Sequence, residues 1–141
     1  MNSEFTVAVH CLVFLAYLPD HMASSELLAR NVSTNPTRIR KVMSLLRTHG
    51  FVKTKEGVGG GYLLSCEPDK VTLGQIYRAI STGNLKPHWC SGNQEDACLV
   101  SANMEHVMDD IFTEAETHYE LCLERTTIQS VLDKVKKCKH V

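Results

Sequence analysis

Three groups of residues in this chain have types and spacings suited to chemistry. Cys90 and Cys98 lie in a polar stretch with His88 and the only tryptophan, Trp89. Two thiols with seven residues between them can close a reversible disulfide when the intervening loop bends. From Arg30 to Lys55 run seven basic residues, Arg30, Arg38, Arg40, Lys41, Arg47, Lys53 and Lys55, without one acidic residue. Such a run is the electrostatic footprint of phosphate binding. The third group is EGVGGGYLL at 56–64, with four glycines in five positions. Its backbone must approach something closely: a nucleotide phosphate, a DNA phosphate, or only itself in a tight turn.

The elements that position these groups narrow the choice. Segment 4–18 is apolar nearly throughout and reads as a central helix ended by Pro19-Asp20. Ser24-Ser25-Glu26 opens a short second helix, with a serine cap and an early acid that suits the helix dipole. After the connector 32–34, Asn35 is placed to cap a helix that has Pro36 at its first position and Gly50 just past its end. In that helix Ile39, Val42, Met43 and Leu46 form one apolar stripe. Thr37, Lys41, Ser44 and Thr48 point directly away from it, with Arg38 and Arg40 on the flanks. A short helix, a turn and a second helix with a polar, basic outer face is a helix-turn-helix, whose second helix enters the major groove. A solvated amphipathic helix is the plain alternative. The segment C-terminal to this helix favours DNA: 51–55 and 61–65 read as strands with the glycines between them. A phosphate loop would need Lys-Ser/Thr after the last glycine, and a dinucleotide fingerprint would need the glycines to open a helix. A hairpin attached to a helix-turn-helix is a wing, and Gly59 and Gly60 would let its tip approach the duplex, with Lys53 and Lys55 as phosphate contacts.

Further on, a helix is expected over 72–80, a loop over 82–97, a long helix over 99–124 and a last helix near 127–137. Met104, Val107, Met108, Ile111, Phe112, Ala115, Tyr119 and Cys122 lie along one side of the long helix. That stripe exceeds what a small winged helix covers, so it implies a partner surface, most simply the same helix of a second subunit. With 141 residues and 43% hydrophobic content, one domain with a helical extension is expected. No segment approaches the ~20 apolar residues of a membrane span, and the start lacks a signal-peptide pattern, so a cytoplasmic protein without a membrane partner is expected. Its six cysteines then read as thiols, ligands or redox centres rather than a disulfide framework. The net charge of −1 conceals the basic run, because residues 67–141 hold eight basic and twelve acidic residues.

SSELLARNVSTNPTRIRKVMSLLRTHGFV, the wing GVGGGYLL, VTLGQIYRAIS and a cysteine-bearing loop ending in CLV resemble the Rrf-two family of bacterial regulators over essentially the whole chain. The resemblance implies a mainly α fold with a small β-hairpin wing: a winged helix-turn-helix over 1–82, a sensor-type loop over 83–98 and a helical dimerisation region over 99–141. It also implies a homodimeric, sequence-specific transcriptional regulator, usually a repressor, on a near-palindromic site in double-stranded DNA. The family's contact positions fall on Asn35, Thr37, Arg38 and Lys41. The wing arginine of some members is replaced by Glu56, beside Lys55, and a proline of many members by Val58.

Several members hold an iron–sulfur cluster through three loop cysteines and a residue from elsewhere. Here the loop has only Cys90 and Cys98, Ser101 stands where one branch has histidine, and Thr6 stands where another has an acid. Two thiolates do not complete a cluster's ligand set, so no cofactor and no metal is expected. A cluster with unconventional ligands from His88, His10 or His106 stays an alternative. So do a Cys90–Cys98 thiol switch and a pair of plain loop cysteines in a regulator whose effector is a small molecule or protein. In lacking the triad the chain resembles a sub-branch of the family without it. A winged helix that binds only protein is a rival reading. An enzyme is not expected, as no Ser/His/Asp pattern, HExxH or phosphate loop is present.

Overall fold

The computed structural model describes residues 3–81 and 85–138. The expected boundary at 82–83 and the last residues, 139–141, of the expected helical region lie outside the described residues. Six helices and three short strands run in the order α1 (Glu4–Tyr17), β1 (Met22–Ala23), α2 (Ser25–Val32), α3 (Pro36–Thr48), β2 (Val52–Lys55), β3 (Gly61–Leu64), α4 (Leu73–Ile80), α5 (Leu99–Leu123) and α6 (Ile128–Lys137). The apolar run of α1 is explained by its place: Phe5, Val7, Ala8, Cys11, Leu12, Val13 and Leu15 are buried, and α2, α3, α4, α6 and β3 all contact it. A helix apolar on most of its circumference needs neighbours on most sides. Burial pushes the Cys11 thiol up to about 12 and that of Cys66 up to about 11, so neither is a reactive centre.

The sheet has one strand more than the expected hairpin. Met22–Ala23 pairs antiparallel with β3, giving the order β1-β3-β2. Two residues are too short to show a period of two, which is why the pattern misses them. Within the wing, Val52 faces Leu64, Lys53 faces Leu63, Thr54 faces Tyr62 and Lys55 faces Gly61. The Gly60 amide donates to the Gly57 carbonyl at 3.0 Å, closing the tip. A Cβ on Gly60 would collide with the Lys55 carbonyl, and one on Gly61 would sit 2.5 Å from the Ala23 carbonyl oxygen. Gly59 has positive φ and open space around it.

Beyond the wing, α4 and α6 begin side by side. Thr72 and Thr127 each head a reciprocal capping box, with Gln75 and Ser130 respectively. The Leu73 amide donates to the Thr126 carbonyl at 2.8 Å and the Ile128 amide to the Val71 carbonyl at 3.0 Å. Glu124, at the end of α5, accepts from Thr72 Oγ1 at 2.9 Å and pairs with Arg78. The hydroxyl of Thr72, together with Arg78, holds the Glu124 carboxyl below the ordinary range. Tyr77 on α4 packs between Phe5 and Tyr119, at ring-centroid distances of 5.5 and 5.0 Å. The expected stripe of α5 is therefore divided. Its C-terminal part, including Tyr119 and Leu123, packs on the core, while Met104, Val107 and Ile111 are exposed, as are Leu99 and Val100 ahead of them.

Gly61→Ala is expected to lower stability by about 1–3 kcal/mol, because the obstructing atoms are backbone of β1. Gly59→Ala should cost about 1 kcal/mol from its left-handed backbone alone. Denaturant titration of the two variants checks the ranking.

Candidate nucleic-acid interface

Helix α3 is built from its cap outward. Ser33 takes a left-handed conformation, φ 66°, which ends α2 and turns the chain, and the Thr34 amide closes back on the Ala29 carbonyl at 3.0 Å. Asn35 Oδ1 then accepts from the Arg38 amide at 2.8 Å, and Pro36 supplies the first helical position. Asn35 is thus an exposed helix cap with its amide NH2 still available to donate. Ile39, Val42, Met43 and Leu46 are buried, as the stripe requires, which fixes the rotation of the helix.

The same rotation places Thr37, Arg40, Lys41, Ser44, Arg47 and Thr48 on the exposed side. Arg38 is half-buried, its guanidinium donating to Ser3 Oγ. Arg40 reaches back to Thr37 Oγ1 at 3.5 Å, and Thr48 Oγ1 donates to the Ser44 carbonyl at 3.0 Å. Lys53 and Lys55 are exposed at alternate positions of β2, on one face of the ribbon, with Gly59 and the fully exposed Val58 at its tip. The expected contact residues are therefore brought together on α3 and the neighbouring strand. Gly60 is accounted for by its own turn, whatever it also meets outside.

One charged residue at this surface escapes a reading of the sequence segment. The run 30–55 is free of acids, yet the first turn of α1 brings Glu4 to α3, where its Oε1 lies 3.1 Å from Lys41 Nζ. Ser3 and Glu4 are 35 and 37 residues from their partners, so no local pattern shows them. Only the helical period of 4–17 and of 36–48, combined with their crossing, could have found the pair.

The loop before α5 is held by Asn93, whose amide donates to both the carbonyl and Oγ of Ser101 at 3.0 Å, and by Asp96, whose Oδ1 accepts from the Cys98 amide at 3.0 Å. Cys90 and Cys98 are both exposed but differ electrostatically. The amides of Ser101 and Val100, at the start of α5, lower the Cys98 thiol below its ordinary value. For Cys90, partial desolvation, then the nearby carboxylates of Glu105 and Asp109, raise it.

A model of the family described as Rrf2, iron-dependent transcriptional regulator, matches residues 1–134. The chain belongs to the Rrf2 family. Members are transcriptional regulators that bind DNA, so this Rrf2 protein is a DNA-binding regulator and not an enzyme. It is 27% identical over 133 residues to YwnA of Bacillus subtilis (strain 168), described as an HTH-type transcriptional regulator, covering 94% of this chain and 97% of YwnA. A transcriptional regulator from Lactobacillus plantarum superimposes with a TM-score of 0.84 at 26% identity, over 97% of this chain and 92% of that one. CymR of Bacillus subtilis, its global cysteine regulator, shares the fold with a TM-score of 0.69 at 21% identity, over 95% and 96% of the two chains. No helix among the described residues is long and apolar enough to cross a membrane.

The family description implies iron, and the donors of this Rrf2 loop do not fit it. Ser101 is occupied by Asn93, and the Cys90 thiol sits among carboxylates that disfavour its thiolate. Among the described residues no three His, Cys, Asp or Glu side chains converge as ligands.

Asn35→Asp separates capping from the expected DNA contact. Aspartate caps as well as asparagine, so the melting transition should stay within about 0.5 kcal/mol. DNA affinity should fall at least about tenfold, because a carboxylate replaces a donor beside phosphates. Thermal unfolding and a fluorescence-anisotropy titration check the two halves.

Proposed function

We propose that this regulator is a homodimeric repressor that reads a near-palindromic operator with α3 and holds the backbone with Lys53 and Lys55. The observation carrying the reading is the capped, rigidly rotated α3, whose exposed side presents Thr37, Arg40 and Lys41 next to a wing with two outward lysines. Polar side chains at the start of a groove helix read base edges, and flanking lysines neutralise phosphates. Asn35 and Arg38 join the reading surface by their place in the first turn. Homodimerisation is supported by the N-terminal half of α5, where Leu99 is 80% exposed, Val107 49% and Ile111 51%. An apolar stripe of that kind on one helix face suits a two-fold interface, and a two-fold protein matches a palindrome. Acting on DNA, the protein works in the cytoplasm.

A second reading concerns the signal. We infer that the loop answers oxidant through Cys98 and Cys90: the Cys98 thiolate attacks hydrogen peroxide, breaking its O–O bond and expelling hydroxide, to give a sulfenic acid, and the Cys90 sulfur then displaces the sulfenic hydroxyl, which leaves as water with the Cys90 proton, to form the disulfide. The exposed, amide-stabilised Cys98 supports this order of events. The electronegative surroundings of Cys90 and the missing ligands argue against a cluster, so no cofactor enters the reading.

Selection from a randomised duplex library, followed by titration, tests the main reading. A two-fold symmetric consensus, bound by a dimer with affinity falling steeply as salt rises, is the expected result. Arg40→Ala should weaken the selected duplex by about 1–3 kcal/mol while leaving random duplex nearly unchanged if Arg40 reads a base. A flat salt response in the wild type would instead mark a protein-interaction module. For the signal, alkylation by iodoacetamide followed by mass spectrometry should label Cys98 at lower pH than Cys90, because the thiolate of Cys98 forms at lower pH and that of Cys90 only higher. Equal labelling profiles would remove the assigned roles, and visible absorbance with bound iron and sulfide would replace the thiol switch with a cluster.

A further inference from the structure

We propose that Glu4 is a positioning residue that sets the selectivity of DNA binding, by holding the Lys41 ammonium toward base edges and away from phosphates. The inference rests on the DNA-binding reading above. Its basis is an asymmetry in the pair. Glu4 belongs to the first turn of a helix that is buried immediately behind it at Phe5, Val7 and Ala8, and its side chain is 21% exposed. Lys41 lies on the outer side of α3 with a side chain 68% exposed. The carboxylate is therefore the fixed member, and the flexible lysine is directed by it.

The chemistry of the two groups gives the arrangement its effect. A lysine ammonium is a compact charge with three donors on a four-carbon stem, and left alone it follows the strongest negative potential, which on a duplex is the phosphate backbone. With Glu4 Oε1 at 3.1 Å, one donor is used and directed, while the other two donors stay available to acceptors in the groove. Such a lysine gains little from phosphates and more from a matched base. Ser3 acts in parallel on Arg38, whose guanidinium meets Ser3 Oγ, so adjacent residues at the start of α1 steer two cations of α3. Support of this kind, from a rigid neighbouring element, is what fixes the geometry of a reading side chain.

The test compares wild type with Glu4→Gln on the library-selected duplex and on a random duplex of equal length, from about 50 to 200 mM salt. Glutamine keeps the size and removes the charge. Random-duplex affinity should rise about threefold, with a salt slope steeper by about 0.9 as Lys41 takes up a phosphate. Affinity for the selected duplex should fall about fivefold, so that selectivity drops more than about tenfold. Repeating the substitution in a Lys41→Met background should produce no further loss of selectivity. Equal changes on both duplexes, no change on either, or an undiminished loss in the Lys41→Met background would overturn the inference while leaving the DNA-binding reading intact. A wild-type protein that selects no duplex and ignores salt would overturn both.

Discussion

The exposed basic side of α3 depends on the burial of α1, against which α2, α3, α4 and α6 all pack. Because α1 is apolar around most of its circumference, the fold has to wrap it, with those four helices and β3 as its neighbours. This fixes where its first turn emerges. Ser3 and Glu4 arrive at the outer side of α3 as a consequence of the packing of Phe5, Ala8 and Leu12 behind them. The charge pattern of the surface is thus set by the core, and a core substitution in α1 would be felt in the placement of two surface cations.

The wing obeys a different constraint, that of backbone against backbone. Its glycines are required first by the hairpin: Gly60 by the closing turn and Gly61 by the approach of β1. Glycine at these places leaves the tip narrow and exposes Val58, so the same residues that satisfy the chain's own geometry also permit an approach to a duplex.

Helices with strong caps and full stripes were legible from sequence alone. Asn35-Pro36 and the Ile39, Val42, Met43, Leu46 stripe place α3 within a residue of its ends, and Thr72 does the same for the start of α4. The outer side of α3, with Thr37, Lys41, Ser44 and Thr48, comes from the helical period, whereas only packing tells that of the two flanking arginines Arg40 is exposed and Arg38 half-buried. Contact between distant segments is what sequence does not show. The strand β1 is two residues long and is defined by β3, far along the chain, and Glu4 is defined by Lys41. The stripe of α5 reads as continuous because periodicity reports apolar spacing, whereas only packing tells that Tyr119 is covered and Val107 is not.

The two ends of α5 are held by different partners. Glu124, Tyr119 and the paired beginnings of α4 and α6 hold one end, whereas the other begins at Cys98 in an exposed loop. Its 25 residues span about 37 Å at the usual rise. A rod of that length is a lever: sideways travel of about 1 Å at the loop corresponds to a turn of roughly 1.5° about the Glu124 end, on that geometry. A sideways shift at the loop that carries Cys98 would therefore arrive at α4, which also touches α3, as a small rotation.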